Sequence, residues 1–236
     1  MGRHFEVRAA SMAITAKKKS ALYMRASKEI YLAAKQGEPD PNSNLTLRAA
    51  LDKYRALGVS KDVIERAINK AKGTDIVAYI PGRYEMMGPG GSFLVVDTLT
   101  DNVNRAISDL KAAIKKIDGT TFTSTAYNFQ ETGVFVFDSI GYEVVEETLI
   151  LNDIDVWEIN EEDEITEVLV NPQAYGKTRD TLYDLGVNEF NISEIKMIPQ
   201  MKIMLNEEDK VLFEKLIDLL EEVQDVQEIY HNVELN

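Results

Sequence analysis

The stretch GVFVFDSIGYEVVEETLILNDIDVWEINEEDEITEVLVNPQAYGKTRDTLYDLGVNEFNISEIKM, residues 133–197, decides the fold class. Alternation in Gly133-Val134-Phe135-Val136-Phe137 predicts a strand, and Tyr142–Leu151 carries a helical pattern. Asp155–Ile159 and Ile165–Val170 read as strands around a turn at Asn160–Asp163. Pro172 then opens a helix to about Leu185, and Glu189–Met197 supplies a last strand. The order βαββαβ is that of the split ferredoxin-like unit.

Working outward, Gln200–Leu205, a helix from Asn206 to about Glu222 and Val226–Tyr230 give a β-α-β tail. On the other side, Ile76–Glu85 and Ser92–Leu99 read as strands reversed by Gly88-Pro89-Gly90-Gly91. Asp101 is placed to cap a helix bearing Val103, Ile107, Leu110 and Ile114. The tail is expected to return to this section, which makes residues 133–197 an insertion. Three helical stripes come first: Leu22, Ala26, Ile30 and Ala33; Leu47, Ala50, Leu51, Tyr54 and Leu57; and Val63, Ile64, Ala67, Ile68 and Ala71 behind a cap at Ser60. Gly37, Gly58 and Gly73 punctuate them. The expected fold is α+β with three domains: a helical bundle over 1–75, a mixed α/β middle domain over 76–132 completed by 198–236, and an inserted ferredoxin-like βαββαβ domain over 133–197.

Charge divides along the same lines. The net charge is −14, yet residues 1–75 hold 15 Lys and Arg against 8 Asp and Glu. From Ile117 to Gly176 there are 14 acidic residues and no Lys or Arg. A basic head and an acidic body share one chain, and the average hides both.

Enzymatic chemistry finds little support. No Cys is present, which excludes disulfides, thiolate zinc sites and a cysteine nucleophile. The two histidines, His4 and His231, stand at opposite ends of the chain. No calcium-loop or H-E-x-x-H spacing occurs, so catalytic residues, metal ligands and cofactors are all expected to be none. Glu161-Glu162-Asp163-Glu164 reads as a solvated turn, and Gly88–Gly91 lacks the spacing of a phosphate loop and reads as a hairpin reversal. No apolar run reaches the length of a membrane span and no secretory signal pattern opens the chain, so a cytoplasmic protein without a membrane partner is expected.

The basic head is the better lead. Arg3, Arg8, Lys17, Lys18, Lys19, Arg25, Lys28 and Lys35 precede the loop at 37–42, and Arg48, Lys53, Arg55, Lys61, Arg66, Lys70 and Lys72 follow it. Such cations neutralise phosphates and release counterions, the main source of sequence-independent affinity for nucleic acid. Tyr23 and Tyr31 lie among them as stacking platforms, whereas Tyr54 belongs to the apolar stripe.

Several segments together resemble the YebC/YeeN family, nearer its YeeN branch, which includes the mitochondrial translational activator of cytochrome c oxidase. They are Met1-Gly2-Arg3, Glu29–Gly37 with Pro39-Asp40-Pro41, Lys61–Ile68, Gly82-Arg83-Tyr84-Glu85, Gly88–Gly91, Asp97–Arg105 and Asp225–Val233. The resemblance implies three domains and a cytoplasmic regulator without known enzymatic activity. Some members of the family are described as probable transcriptional regulators that bind DNA and others as translation factors at the ribosome. Two departures stand out. His4-Phe5-Glu6-Val7-Arg8 replaces the family's Lys-Trp-Ala-Asn-Ile stretch, and Asp118–Phe122 replaces a longer glycine-rich segment.

The resulting expectation is a non-enzymatic nucleic-acid-binding regulator of gene expression. DNA, or ribosomal RNA and tRNA, is held by the basic head, and a basic protein partner is expected at the acidic domain. The alternatives are an enzyme with a site between domains and an interaction adaptor that uses the acidic domain.

Overall fold

The apolar stripes at the start of the chain become three helices. In the computed structural model, which describes residues 16–74, 78–138 and 140–234, these are α1 (Ala16–Gln36), α2 (Leu45–Ala56) and α3 (Lys61–Lys72). Ala26, Ile30, Ala33 and Ala34 of α1 are buried, as are Leu47, Ala50, Leu51 and Tyr54 of α2 and Ile64, Ala67 and Ala71 of α3. The α1–α2 turn is fixed by Asn44, which accepts from Leu47 N at 2.9 Å and donates to the carbonyls of Ala33 and Glu38, both at 2.8 Å. Gly58, at φ +74°, turns the chain into α3. The cap expected of Ser60 is not made by its side chain. Only its carbonyl takes part, accepting from Val63 and Ile64.

Two four-stranded antiparallel sheets follow. The first contains β1 (Ile80–Met87), β2 (Phe93–Thr100), β3 (Thr121–Phe122) and, from the far end of the chain, β8 (Val226–His231), in the order β3-β1-β2-β8. Helices α4 (Val103–Ile114) and α7 (Glu207–Glu221) are part of its core: Leu110, Ala113, Ile114, Phe213, Leu216 and Leu220 join Met86, Leu94, Val96 and Val226. Gly90 and Gly91 adopt φ of +62° and +73° in the β1–β2 reversal, so this loop is the hairpin turn that its composition implies.

The second sheet is built from β4 (Phe129–Asp138), β5 (Val156–Glu162), β6 (Ile165–Val170) and β7 (Ile192–Pro199) in the order β5-β6-β4-β7, with α5 (Tyr142–Leu151) and α6 (Tyr175–Leu185) in the connections. This is the βαββαβ arrangement. Phe135 stacks on Tyr175 with ring centres 4.8 Å apart and tilts against Phe190 at 5.5 Å. Asp163 and Glu164, at φ of +51° and +64°, form the tight β5–β6 turn.

Three expectations are corrected. The strand read over Ile76–Glu85 begins at Ile80 and runs on to Met87, while residues 75–77 lie outside the described residues. Asn102 caps α4, accepting from Arg105 N at 3.0 Å, because Asp101 is engaged by the Arg105 side chain at 2.7 Å. Gln200–Leu205 forms no strand: Ile203 makes one isolated bridge with Val233, and Leu205 lies where a Cβ on Gly90 would meet it. Contacts gather the chain into two units, 1–74 with 131–196 and 75–130 with 197–236.

Candidate nucleic-acid interface

Helix directions in the bundle follow from its hydrogen bonds. Tyr54 donates to Glu29 Oε2 at 2.5 Å, and Asn44 reaches Ala33, so α2 runs antiparallel to α1. Lys35 Nζ donates to the carbonyls of Ala71 and Gly73, both at 3.1 Å, so α3 ends beside the end of α1 and runs with it. Lys35 thereby satisfies carbonyls that the last turn of α3 leaves without helical partners.

The cations named from the sequence separate into two groups. Arg48 is tied to the α1–α2 loop, Nε to Pro41 O at 3.0 Å and an η nitrogen to Asn42 O at 2.9 Å. Lys53 is largely buried, 3.4 Å from both Glu29 and Glu194. Lys28 is buried and Arg25 half-buried. In the other group, Lys19, Arg55, Lys61, Arg66, Lys70 and Lys72 are exposed. Lys19 lies over the Tyr23 ring at 5.7 Å and Lys70 over Tyr31 at 5.4 Å. Lys61 pairs with Glu65 at 3.6 Å, and Arg66 Nε donates to Asp62 O at 3.1 Å. Lys17 and Lys18 belong to the first turn of α1, which contains no acidic residue. Arg3, Arg8 and the departure at His4–Arg8 lie outside the described residues. Tyr31 is buried at 1% exposure, which corrects its reading as a stacking platform; its face is covered by Lys70.

Lysines in the first turn of a helix oppose the positive end of its dipole.

The buried charges form a second, structural constellation, missed in the sequence, where α2 meets α6 and β7. Arg179 of α6, 1% exposed, bonds Asp180 at 2.8 Å. Asp180 is also 3.7 Å from Arg48. Burial pushes the carboxyl of Asp52 up, and the positive charge of Arg179 with a hydrogen bond to Tyr183 pulls it only part of the way back. Tyr183 is pushed up to about 12 by burial and by the negative charge of Asp52. Burial likewise works against Glu194, but Lys196 at 2.7 Å and Lys53 at 3.4 Å hold its carboxyl below the usual value. Nothing in the local pattern of α2 distinguishes these positions from a solvated face.

Four of the segments that carried the resemblance, in 82–105 and 225–233, lie in or beside the first sheet. Arg83, directly opposite Asp97 in the β1–β2 register, donates two hydrogen bonds to its carboxylate at 2.7 and 2.8 Å. Glu85 accepts from the backbone of Ala126 and Thr125 at 2.7 and 2.6 Å, and these bonds hold its carboxyl low. Asp225, 1% exposed, accepts from Thr100 Oγ1 at 2.9 Å and from Arg105, thus tying the α4 entry to the start of β8. Asp225→Asn is expected to lower the unfolding midpoint by on the order of 5 °C in calorimetry, and exposed Asp101→Asn by much less. Thr121 and Phe122, in the second departure, form β3 against Met87 and Met86.

Among the described residues no group of three or more His, Asp or Glu could hold a metal ion, and no helix is long and apolar enough to cross a membrane. His231 packs edge-on against Phe213 at 5.1 Å.

Comparison with known proteins agrees with this architecture. The TACO1/YebC protein N-terminal domain matches residues 3–74, and the TACO1/YebC second and third domain matches 79–233. The probable transcriptional regulatory protein Mfl546 of Mesoplasma florum is 43% identical over 234 residues, 98% of this chain and 99% of that protein. A conserved hypothetical protein of Aquifex aeolicus, Aq1575, has a crystal structure that superposes with a TM-score of 0.75 at 25% identity, covering 94% of this chain and 92% of its own. With both family descriptions matched in order along nearly the whole sequence, the chain belongs to the TACO1/YebC family.

Proposed function

We propose that this protein is a non-enzymatic, cytoplasmic regulator of gene expression that holds the phosphate backbone of ribosomal RNA or tRNA through the outward side of α3 and the start of α1. One observation carries the reading. The bundle engages Lys35, Arg48 and Lys53 internally and leaves Lys19, Lys61, Arg66, Lys70 and Lys72 exposed. Because α1 and α3 run together, Lys61, nine residues before Lys70, stands near the level of Leu22, nine before Tyr31. At 100° per residue Lys61 and Lys72 share one flank of the outward half of α3 and Arg66 and Lys70 the other, so the exposed cations make a row along that half, and Lys19 adds a cation near the start of α1.

Such a row suits a backbone, which carries no base identity. Asp62 and Glu65 interrupt the row, which favours discrete phosphate contacts over a uniformly basic surface. The acidic remainder of the chain is repelled by the same phosphates, so it favours binding by one end only. Promoter DNA is the second reading, favoured by the name of the Mesoplasma florum relative.

Crosslinking in cells followed by sequencing of the attached nucleic acid separates them. Reads concentrated in rRNA or tRNA are expected; reads at promoters would replace the first reading with the second, and recovery of neither would sink both. In vitro, four or five phosphate contacts predict that log affinity falls against log salt with a slope of about −3 to −4. A slope near zero would remove the electrostatic grip from the account.

A further inference from the structure

The acidic domain carries more exposed apolar surface than its own core requires. Of the apolar side chains on α5, Val145 and Leu149 are fully buried. Val144, Ile150 and Leu151 are left 51%, 62% and 75% exposed. At 100° per residue, Glu143, Val144, Glu147, Ile150 and Leu151 fall on one side of the helix. That side alternates aliphatic and acidic groups.

Beside it runs β5, the edge of its sheet. Glu161, near the far end of β5, accepts from Tyr142 N at 2.8 Å, so β5 returns antiparallel along α5. The ladder slips between Val156 and Glu158, which places Trp157 at a bulge, 38% exposed. Bulges turn side chains away from the regular pleat and interrupt an edge. Gly141, Tyr142, Glu143, Val144 and Glu161 line a shallow depression at the other end of the helix.

No Lys or Arg occurs from Ile117 to Gly176, so every residue of this face is apolar, polar or acidic. From α6, Lys177 touches its margin, Nζ reaching the Asp153 carbonyl at 3.4 Å. Scattered exposed apolar residues are ordinary, but three on one helix face form a patch. A mainly acidic rim selects what covers it: an RNA or an acidic protein is repelled, and a purely basic tail leaves the aliphatic groups uncovered. We infer that the α5–β5 face docks a basic amphipathic segment of a partner protein, which lays aliphatic side chains on Val144, Ile150 and Leu151 and Lys or Arg over Glu143, Glu147 and Glu161.

The full chain contains one tryptophan, Trp157 on the neighbouring strand β5, so binding has a built-in reporter. The probe is a Leu/Lys amphipathic helical peptide of about 18 residues, long enough to hold a helix. A shift of Trp157 emission that saturates at one peptide per chain is expected. The affinity is expected to fall at least tenfold for Ile150→Ser with Leu151→Ser, and again for Glu143→Gln with Glu147→Gln. All four side chains are on the outside, so the unfolding midpoint should hold, which separates lost docking from lost fold. A scrambled peptide of the same composition should bind at least tenfold more weakly. Equal binding of the scrambled peptide would reduce the face to diffuse negative charge and overturn the proposal. So would an affinity indifferent to the Ser pair, or self-association of the free protein that the Ser pair abolishes, which would make a second copy the occupant. Loss of RNA binding elsewhere in the chain would leave this result untouched.

Discussion

Arg179→Ala is expected to destabilise the unit that contains it by about 3–5 kcal/mol at neutral pH, because it hollows out the largest fully buried side chain and takes the nearest compensating charge from Asp52. The guanidinium is 1% exposed, and its positive charge is the largest influence pulling the Asp52 carboxyl back toward ionisation. Without it, Asp52 keeps its burial and loses its main compensation, while Oδ2 of Asp52 already has no hydrogen-bond partner. A loss of this size should lower the melting temperature by roughly 10 °C or more. Trp157, in the same unit, reports the transition by its fluorescence.

The pH dependence of that deficit has a definite sign. A carboxyl whose folded value lies above its unfolded one costs stability where it is ionised, and the penalty fades as pH falls through the folded value. In Arg179→Ala the Asp52 value rises further, so the deficit should shrink on acidification from neutral pH toward 3.8, the ordinary aspartate value. Glu194 acts in the opposite direction. Its folded value is depressed below 4.5, so its contribution is present above that pH and lost as pH falls below it. Arg179→Ala combined with Asp52→Asn should recover part of the loss at neutral pH, because the uncompensated charge is gone. If the single variant melts within a degree or two of the parent, the buried charges at the α2–α6 junction are not what holds it.

The sequence makes some of this legible and hides the rest for physical reasons. Helix α5 and strand β6 are legible to the residue, because turn chemistry and apolar period agree there. The α+β class follows from that agreement, and the all-antiparallel sheet order β5-β6-β4-β7 is what such an order of elements builds. Gln200–Leu205 misleads because an alternating Met-Lys-Ile-Met pattern satisfies a strand template. Its one β-bridge among the described residues is at Ile203, and Met201 and Met204 stay 77% exposed. Asp101 and Asn102 are equally good caps by type, and the nearby Arg105 guanidinium decides between them. The basic head is visible as an excess of charge, but which lysines face water is not. Lys53 adjoins Tyr54 on the buried stripe, and its partner Glu194 is 141 residues away. No local pattern encodes a pairing at that separation, so Lys35, Arg48 and Lys53 look in the sequence like cations with a different task.

That division makes the strongest functional test. The full-length protein carrying Lys61→Glu, Arg66→Glu, Lys70→Glu and Lys72→Glu should bind tRNA or duplex DNA at least a hundredfold more weakly at low salt. Every cation that no longer meets a phosphate takes about one unit off the salt slope, so four reversals should bring a slope of about −3 to −4 close to zero. Some stability is lost as well. Glu at 61 sits four residues before Glu65, a like-charge pair worth roughly 0.3 kcal/mol, and acids at 70 and 72 oppose the C-terminal dipole by about 0.3–1 kcal/mol each. The Gln versions of the same four positions avoid both penalties and should still flatten the slope. Lys53→Met is the complementary control, since its ammonium lies between Glu29 and Glu194: it should lower the melting temperature and leave the slope unchanged. Full binding by the Gln variant would move the grip off α3, and the same assay on Lys17→Gln, Lys18→Gln and Lys19→Gln would then decide whether the start of α1 carries it alone.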